Sequence, residues 1–157
     1  MILVTTKCPN DESRGAVIRV QNLIRRFKSR LTCIYVICWS QRPDQSYHDI
    51  PIKYVPFKIN DIGLMIKEAV FSSFSTAIYK RRMLVKISLK QEEILFHLIR
   101  AYMPIDSAIA TIDLCESLSE NFRIRALALP IYSVKRFLYN LESKRLKRLE
   151  TAVLLDK

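Results

Sequence analysis

Residues 1–40 have the sequence MILVTTKCPN DESRGAVIRV QNLIRRFKSR LTCIYVICWS, and this stretch decides the fold. It opens on a short apolar run at residues 1–6 and passes through a polar loop at residues 7–15. Apolar side chains then recur at helical spacing, with arginines on the other face. A second apolar run follows at residues 32–39. Because apolar runs without polar alternation are typical of strands buried on both faces, the stretch predicts a βαβ unit with parallel strands and a right-handed crossover.

The rest of the chain continues this alternation. After a polar loop at residues 41–49, residues 52–56 predict a third strand, and residues 93–98 and 107–114 predict a fourth and a fifth. We therefore expect an α/β protein, a single Rossmann-like domain over residues 1–157 with about five parallel strands flanked by helices.

Helices are predicted between and after these strands. Asn60 or Asp61 can cap one of them, and a further helix is predicted over residues 83–90. Ser119 can cap the helix after the fifth strand, and Pro130 suits the first turn of a long last helix.

The helix after Asp61 has two interpretations. Its residues 69–79 could insert shallowly into a membrane surface, or they could belong to an ordinary core helix with a solvated face. The side chains that share one face are Ile66, Val70, Phe74 and Ala77.

The chain is strongly basic. Its 26 Lys and Arg residues against 15 Asp and Glu give a net charge of +11, which favours phosphates, anionic lipid headgroups or nucleic acid. The cations form three groups along predicted helices: Arg19, Arg25, Arg26, Lys28 and Arg30; Lys80, Arg81, Arg82, Lys86 and Lys90; and Lys135, Arg136, Lys144, Arg145, Lys147 and Arg148. The second group predicts a surface that faces a membrane. The residues assigned to this surface are Lys80, Arg81, Arg82 and Lys86.

Several classes of protein are excluded. Two glycines cannot form a GxGxxG or Walker A loop. No apolar run approaches the roughly twenty residues that cross a bilayer, and the N-terminus has no signal-peptide pattern, so we expect a cytoplasmic protein. The four cysteines contain no CxxC pair, so neither a metal site nor a disulfide framework is predicted.

Candidate functional residues lie where ligands bind to parallel sheets, beyond the carboxyl ends of the strands. Ser13, Arg14 and Gly15 lead into a helix N-terminus, which could hold a phosphate or a sugar hydroxyl, or could be a plain connection. His97 ends the fourth predicted strand, where it could orient a hydroxyl, act as a base, or simply be a half-buried strand residue. Arg100 lies close by and could pair with a phosphate.

Polar residues also follow the fifth predicted strand. Asp113 and Glu116 are three residues apart and could serve acid–base chemistry, while Ser117 and Ser119 follow them. Capping and loop hydrogen bonds are the alternative role for all four. No nucleophile–histidine pair supports a hydrolase.

Two stretches of the chain resemble a known family. Residues 1–25 combine a first strand, a loop with Gly15 and a helix with Arg19 and Leu23. Residues 94–103, ILFHLIRAYM, and residues 112–119, IDLCESLS, precede a basic helix. These stretches resemble glycosyltransferases of family 4, which have the GT-B fold, and in particular a bacterial subgroup associated with exopolysaccharide assembly.

The match to that subgroup is partial. The basic helix carries Glu142 and Glu150, as in the subgroup. The expected pattern Asp-x-x-Asp-x-x-Ser is represented by Asp113, Glu116 and Ser119, so a glutamate stands where the second aspartate is expected.

The resemblance implies the N-terminal, acceptor-binding half of such an enzyme without its C-terminal, donor-binding domain. It implies transfer of a sugar, with retention, from a nucleotide-sugar to a lipid-linked or saccharide acceptor in cell-surface polysaccharide synthesis, without a cofactor. The implied substrate-binding residues are Ser13, Arg14, Gly15, Arg100, Asp113, Glu116 and Ser119, and the implied catalytic residue is His97. Alone, the chain is expected to be inactive, to need a donor-binding partner chain, and to lie peripherally on the inner face of an anionic membrane.

Two other interpretations stay open. The chain could be a non-catalytic adaptor or partner subunit at a membrane surface, or a basic nucleic-acid-binding domain. Nucleic acid is the less expected partner because the sequence has no RNP motif, helix-turn-helix signature or zinc finger.

Overall fold

A computed structural model describes residues 1–12, 15–88, 93–103, 109–114 and 117–155 of the chain. Its six strands are β1 (Ile2–Thr5), β2 (Cys33–Ile37), β3 (Gln45–Tyr47), β4 (Ile50–Val55), β5 (Glu93–His97) and β6 (Ile109–Asp113). They form one sheet in the order β3-β4-β2-β1-β5-β6. All neighbouring pairs are parallel except β3 with β4. The predicted α/β class with five parallel, Rossmann-like strands is confirmed.

The edge strand β3 is the one strand that the pattern did not predict. It lies within the predicted loop at residues 41–49 and pairs Tyr47 with Ile50. The two residues between them, His48 and Asp49, have φ values of 50° and 68°. Positive φ at both central residues defines a type I′ hairpin turn, which usually carries Asn-Gly. Because the turn carries His-Asp rather than Asn-Gly, no hairpin signal is visible at these residues.

In the described residues, six α-helices flank the sheet: α1 (Gly15–Phe27), α2 (Ile62–Phe71), α3 (Phe74–Ala77), α4 (Arg82–Ser88), α5 (Leu118–Leu127) and α6 (Val134–Leu155). A short 3-10 turn, Ile59–Asp61, precedes α2. Two predicted helix starts differ from the structure. Ser117 rather than Ser119 caps α5, by accepting from the backbone N–H of Glu120, and α6 begins four residues after Pro130. Residues 89–90 of the predicted helix at 83–90 lie outside the described residues.

The predicted continuous face from Ile66 to Ala77 is interrupted. The helix ends after α2, and a separate helix, α3, begins. Ser73 caps the start of α3, because its Oγ accepts from the N–H groups of Ser75 and Thr76. As a result, Phe74 and Ala77 do not continue the helix that carries Ile66.

Each face of the sheet has its own core. On one face, α1 buries Val17, Val20 and Ile24 over β1, β2 and β4. On the other, Leu84 of α4 packs with residues of the segment that follows β5. Cys33 and Cys38 pack on opposite faces, as their spacing predicts.

Two glutamates of α6 accept hydrogen bonds from residues at the starts of α3 and α5. Buried Glu142 accepts from the hydroxyl of Ser73 at 2.5 Å and from the N–H of Ser75 at 2.7 Å. Further along α6, Glu150 accepts from the hydroxyl of Ser119 at 2.6 Å and from the Ser119 N–H at 3.1 Å. Both carboxylates therefore cap the start of a neighbouring helix.

None of the helices in the described part of the chain has the length and apolar character needed to cross a membrane.

Candidate functional site

The carboxyl ends of β1, β5 and β6 meet at one edge of the sheet. Strand β1 lies between β2 and β5. Helix α1, which follows β1, packs on one face of the sheet, and α4, which precedes β5, packs on the other. This is the topological switch point of an open parallel sheet, where a crevice opens for ligands. The residues that end these strands are Thr5, His97 and Asp113.

These three residues form a polar row. The hydroxyl of Thr5 lies 3.1 Å from His97 Nδ1, and His97 Nε2 lies 3.9 Å from a carboxylate oxygen of Asp113. Thr5 Oγ1 also accepts from the N–H of Lys7 at 3.1 Å. When the Thr5 hydroxyl donates to Nδ1, the imidazole proton lies on Nε2, toward Asp113.

Burial separates the roles of these side chains. His97 and Thr5 are fully buried, whereas the Asp113 side chain keeps 27% exposure. The geometry brings His97 and Asp113 together, since they are opposite one another at the ends of β5 and β6. Asp113 is therefore the member of the row that solvent reaches, and its distance from His97 Nε2 is longer than a hydrogen bond. A catalytic role for His97 stays a prediction.

Leu98 turns the chain sharply after His97. It has a φ of 73°, a conformation that costs a side-chain-bearing residue about 1–2 kcal/mol. Its N–H donates to the carbonyl of Asp113 at 3.1 Å, and its carbonyl accepts from Ala101 at 3.0 Å. Backbone strain of this kind concentrates at functional sites, and here it directs the chain toward Arg100.

A pocket of about 190 Å³ adjoins this turn. Arg100 lines it from the turn, and Asn121 and Arg125 line it from α5; the other lining residues are Leu98, Ile99, Leu118 and Phe122. Within the described residues, the buried Nε of Arg100 has no hydrogen-bond partner. Two guanidinium groups and an amide suit a phosphate or carboxylate.

A second, more open pocket of about 360 Å³ lies at the start of α1. It is lined by Lys7, Asp11, Glu12, Ala16, Val17 and Arg42, and Arg42 pairs with Asp11 at 3.2 Å. A Cβ added to Gly15 would meet nothing within 4 Å, so the fold itself does not require glycine there. Ser13 and Arg14 lie outside the described residues.

A hydrogen-bonded network lies beside Arg42 of this second pocket, whose guanidinium carbon is 5.7 Å from the Tyr54 ring. The Tyr54 hydroxyl lies 3.3 Å from the Cys8 sulfur and donates to Gln45 at 2.9 Å. Burial, with the contact to Cys8, raises the pKa of Tyr54 to about 12. The phenol therefore stays protonated at neutral pH and acts as a structural hydrogen-bonding group.

Two predicted site residues remain, Ser119 and Glu116. Ser119 is buried and its hydroxyl donates to Glu150, so its hydrogen bond is used within the fold. Glu116 lies outside the described residues. Thr5 and Arg125 were not predicted as site residues; the one signal in the sequence is that Thr5 lies at the end of an apolar run.

The predicted membrane-facing surface is wrong for two of its four residues. Lys80 is 6% exposed and Arg81 is 1% exposed. Lys80 donates to the carbonyl of Tyr102 and pairs with Glu68 at 3.5 Å, and burial lowers its pKa. Arg82 and Lys86 are exposed, so their part in such a surface stays a prediction.

The burial of Arg81 has a clear structural cause. Its guanidinium donates to the carbonyls of Ile78 and Lys80 at 2.9 and 2.8 Å. Its central carbon lies 5.6 Å from the ring of Trp39 and 5.1 Å from that of Phe57. Stacking on aromatic rings and binding carbonyls are typical of a structural arginine.

No protein-family model, curated protein or solved structure matches this chain. The case for a function therefore depends on the geometry of the carboxyl edge.

Proposed function

We propose that the carboxyl edge binds a phosphorylated carbohydrate, and that the chain is the acceptor-binding half of a glycosyltransferase. The reaction is transfer of a sugar from a nucleotide-sugar to a lipid-linked or saccharide acceptor in cell-surface polysaccharide synthesis. The observation that carries this proposal is the row Thr5–His97–Asp113 at the switch point, with the Arg100 pocket next to it.

Each part of the edge has a chemical task in this proposal. The Asp113 carboxylate accepts a hydrogen bond from an acceptor hydroxyl, with the buried His97 ring 3.9 Å away. Arg100 and Arg125 bind the phosphate that links the acceptor sugar to its lipid. The pocket at the start of α1 faces the donor, most of whose contacts come from a second domain or partner chain.

Calorimetric titration with a short-chain prenyl diphosphate sugar tests this proposal. Asp113→Asn and Arg100→Ala should each weaken binding about tenfold or more, because a hydrogen bond to a charged group contributes about 1.5–3 kcal/mol. Arg25→Ala is the matched control, since Arg25 is an exposed arginine of α1.

Two results would contradict the proposal. One is no binding of the lipid-linked sugar by the wild-type chain; the other is equal binding by all variants. Robust nucleotide release from a nucleotide-sugar by the chain alone would contradict the narrower claim that a donor-binding partner is needed.

A further inference from the structure

Helix α2 has an apolar face that the rest of the described chain does not cover. No residue of α2 is buried. Ile62, Ile66 and Val70 follow Ile59 at intervals of three and four residues, so they form one stripe along the helix. All four are exposed, and Phe71 at the helix end is 82% exposed. A contiguous exposed apolar surface of this kind marks an interaction site.

Charges around this stripe are separated by sign. Both acidic residues of segment 58–71 are turned inward. Asp61 is 3% exposed and accepts from the N–H groups of Lys58 and Arg82 at 3.1 and 3.0 Å. Glu68 accepts from the hydroxyl of Thr76 at 2.8 Å and pairs with Lys80.

Cations occupy the outside of the same segment. Lys58 and Lys67 are exposed. The guanidinium of Arg82, also exposed, comes within 4.0 Å of the position that a Cβ on Gly63 would occupy, beside Ile62. The outer side of α2 thus combines apolar side chains with positive charge.

The stripe is also held rigidly. Arg145 of α6 donates to the carbonyls of Ala69 and Val70 at 2.8 and 2.6 Å, which fixes the C-terminal end of α2. The other end is fixed by the hydrogen bonds to Asp61. A partner can therefore bind a preformed surface without first ordering a helix.

From this combination we propose that α2 docks on an anionic phospholipid bilayer. The α2 surface consists of Ile59, Ile62, Ile66, Val70 and Phe71 with Lys58, Lys67 and Arg82. Its apolar side chains enter the boundary between headgroups and acyl chains while the cations contact lipid phosphates. A second copy of the chain fits less well, since each copy carries a net charge of +11 and the same cations would oppose each other.

Co-sedimentation with vesicles tests this proposal. The chain should bind vesicles of phosphatidylglycerol and phosphatidylcholine and bind vesicles of phosphatidylcholine alone only weakly. Raising the salt from about 0.1 M to about 1 M should weaken binding, because the screening length falls from about 10 Å to about 3 Å.

Two double variants separate the apolar and the electrostatic contributions. Ile62→Ser with Ile66→Ser should weaken vesicle binding about tenfold or more, because both side chains lose buried apolar area. Lys67→Ala with Arg82→Ala should weaken it about fivefold for each charge. Ile18→Ser with Arg25→Ala changes an exposed apolar and an exposed basic residue of α1 and is the matched control. All these side chains are exposed, so circular dichroism should show unchanged folding.

Three outcomes would overturn the proposal. Equal vesicle binding by wild type and both α2 variants would place the lipid surface elsewhere. Tighter binding to duplex DNA than to vesicles, lost with the charge variant but not with the isoleucine variant, would indicate nucleic acid. Self-association without lipid, abolished by the isoleucine variant, would indicate a second copy.

The lipid proposal does not depend on the glycosyltransferase proposal. Asp113→Asn should weaken sugar binding and keep vesicle binding. The double isoleucine variant should weaken vesicle binding and keep the binding of a soluble acceptor. Each proposal can therefore fail while the other holds.

Discussion

On the two faces of the sheet, isoleucine and arginine side chains have opposite exposure. Under α1, apolar Val20 and Ile24 face the sheet while Arg25 is exposed. In segment 58–86 the arrangement is inverted, since Ile66 is exposed while Arg81 is buried. Helical periodicity reveals that a helix has two faces, but it does not say which of them meets the core.

The inversion follows from how the chain fills each face. One helix of thirteen residues, α1, joins β1 to β2 and packs its apolar side against one face of the sheet. Between β4 and β5 the chain forms three shorter helices, α2, α3 and α4. Leu84 of α4 belongs to the core cluster on the other face. Helix α2 is left on the outside, and the turn after α3 inserts Lys80 and Arg81 instead.

The largest expected effect is at the buried arginine. Arg81→Ala removes a cation held by two carbonyls and two rings, and should lower the free energy of unfolding by about 3–5 kcal/mol, as breaking a buried charged network does. Its neighbour Arg82 is exposed, so Arg82→Ala should change stability by less than about 0.5 kcal/mol. Urea unfolding of both variants measures the difference. Equal values would show that Arg81 lies on the surface, as the sequence pattern predicted.

A pair of isoleucines compares the two faces directly. Ile24→Ala in α1 should cost about 2–5 kcal/mol because it leaves a cavity in the core. Ile66→Ala in α2 should cost less than about 0.5 kcal/mol because the side chain is already in water. Thermal and urea unfolding give both values. A large loss for Ile66→Ala would mean that the α2 stripe is covered within the monomer.

Alkaline pH should affect the α1 side through Tyr54. Burial raises the pKa of Tyr54 from 10.0 to about 12, so the folded chain holds the phenolic proton more strongly than the unfolded chain. The resulting stability is present below about pH 10 and should be lost as the pH rises toward about 12. Chemical unfolding at a series of pH values measures this, and Tyr54→Phe should flatten the profile. An unchanged profile for the variant would assign the alkaline loss to other groups.

The smallest effects are expected at the two glycines, which lie in the first turns of α1 and α2. Gly15→Ala meets open space and should change stability by less than about 0.5 kcal/mol. Gly63→Ala should raise stability by up to about 1 kcal/mol, because alanine is the better helix former and its Cβ meets Arg82 only at ordinary contact distance. Thermal melts would detect either change, and a clear loss at Gly63 would show that α2 is packed more closely than described.

The parallel part of the sheet could be predicted because its central strands β1 and β2 are continuous, fully buried runs. Leu3 and Ile34 are apolar and buried, and the polar loop after β1 marks the first crossover. The hairpin at His48 and Asp49 could not, since its two positive-φ positions carry His-Asp instead of the usual Asn-Gly. The burial of Arg81 could not either, because its aromatic neighbours come from separate segments of the chain.

The candidate site was predictable only one residue at a time. His97 and Asp113 stand at strand ends, where ligands bind to parallel sheets. That Thr5 completes the row depends on a contact across 92 residues, and the strain at Leu98 has no signature in its residue type. Strand ends can be recognised in a sequence, whereas the pairing between them requires the strand order.

The α2 surface is the part of the molecule that we expect to meet an anionic bilayer. Hydrogen–deuterium exchange of the full chain, with and without phosphatidylglycerol vesicles, tests this claim most directly. We expect slower amide exchange across α2 when the vesicles are present, and unchanged exchange across α1. Unchanged exchange in α2, or equal protection of both helices, would contradict the claim.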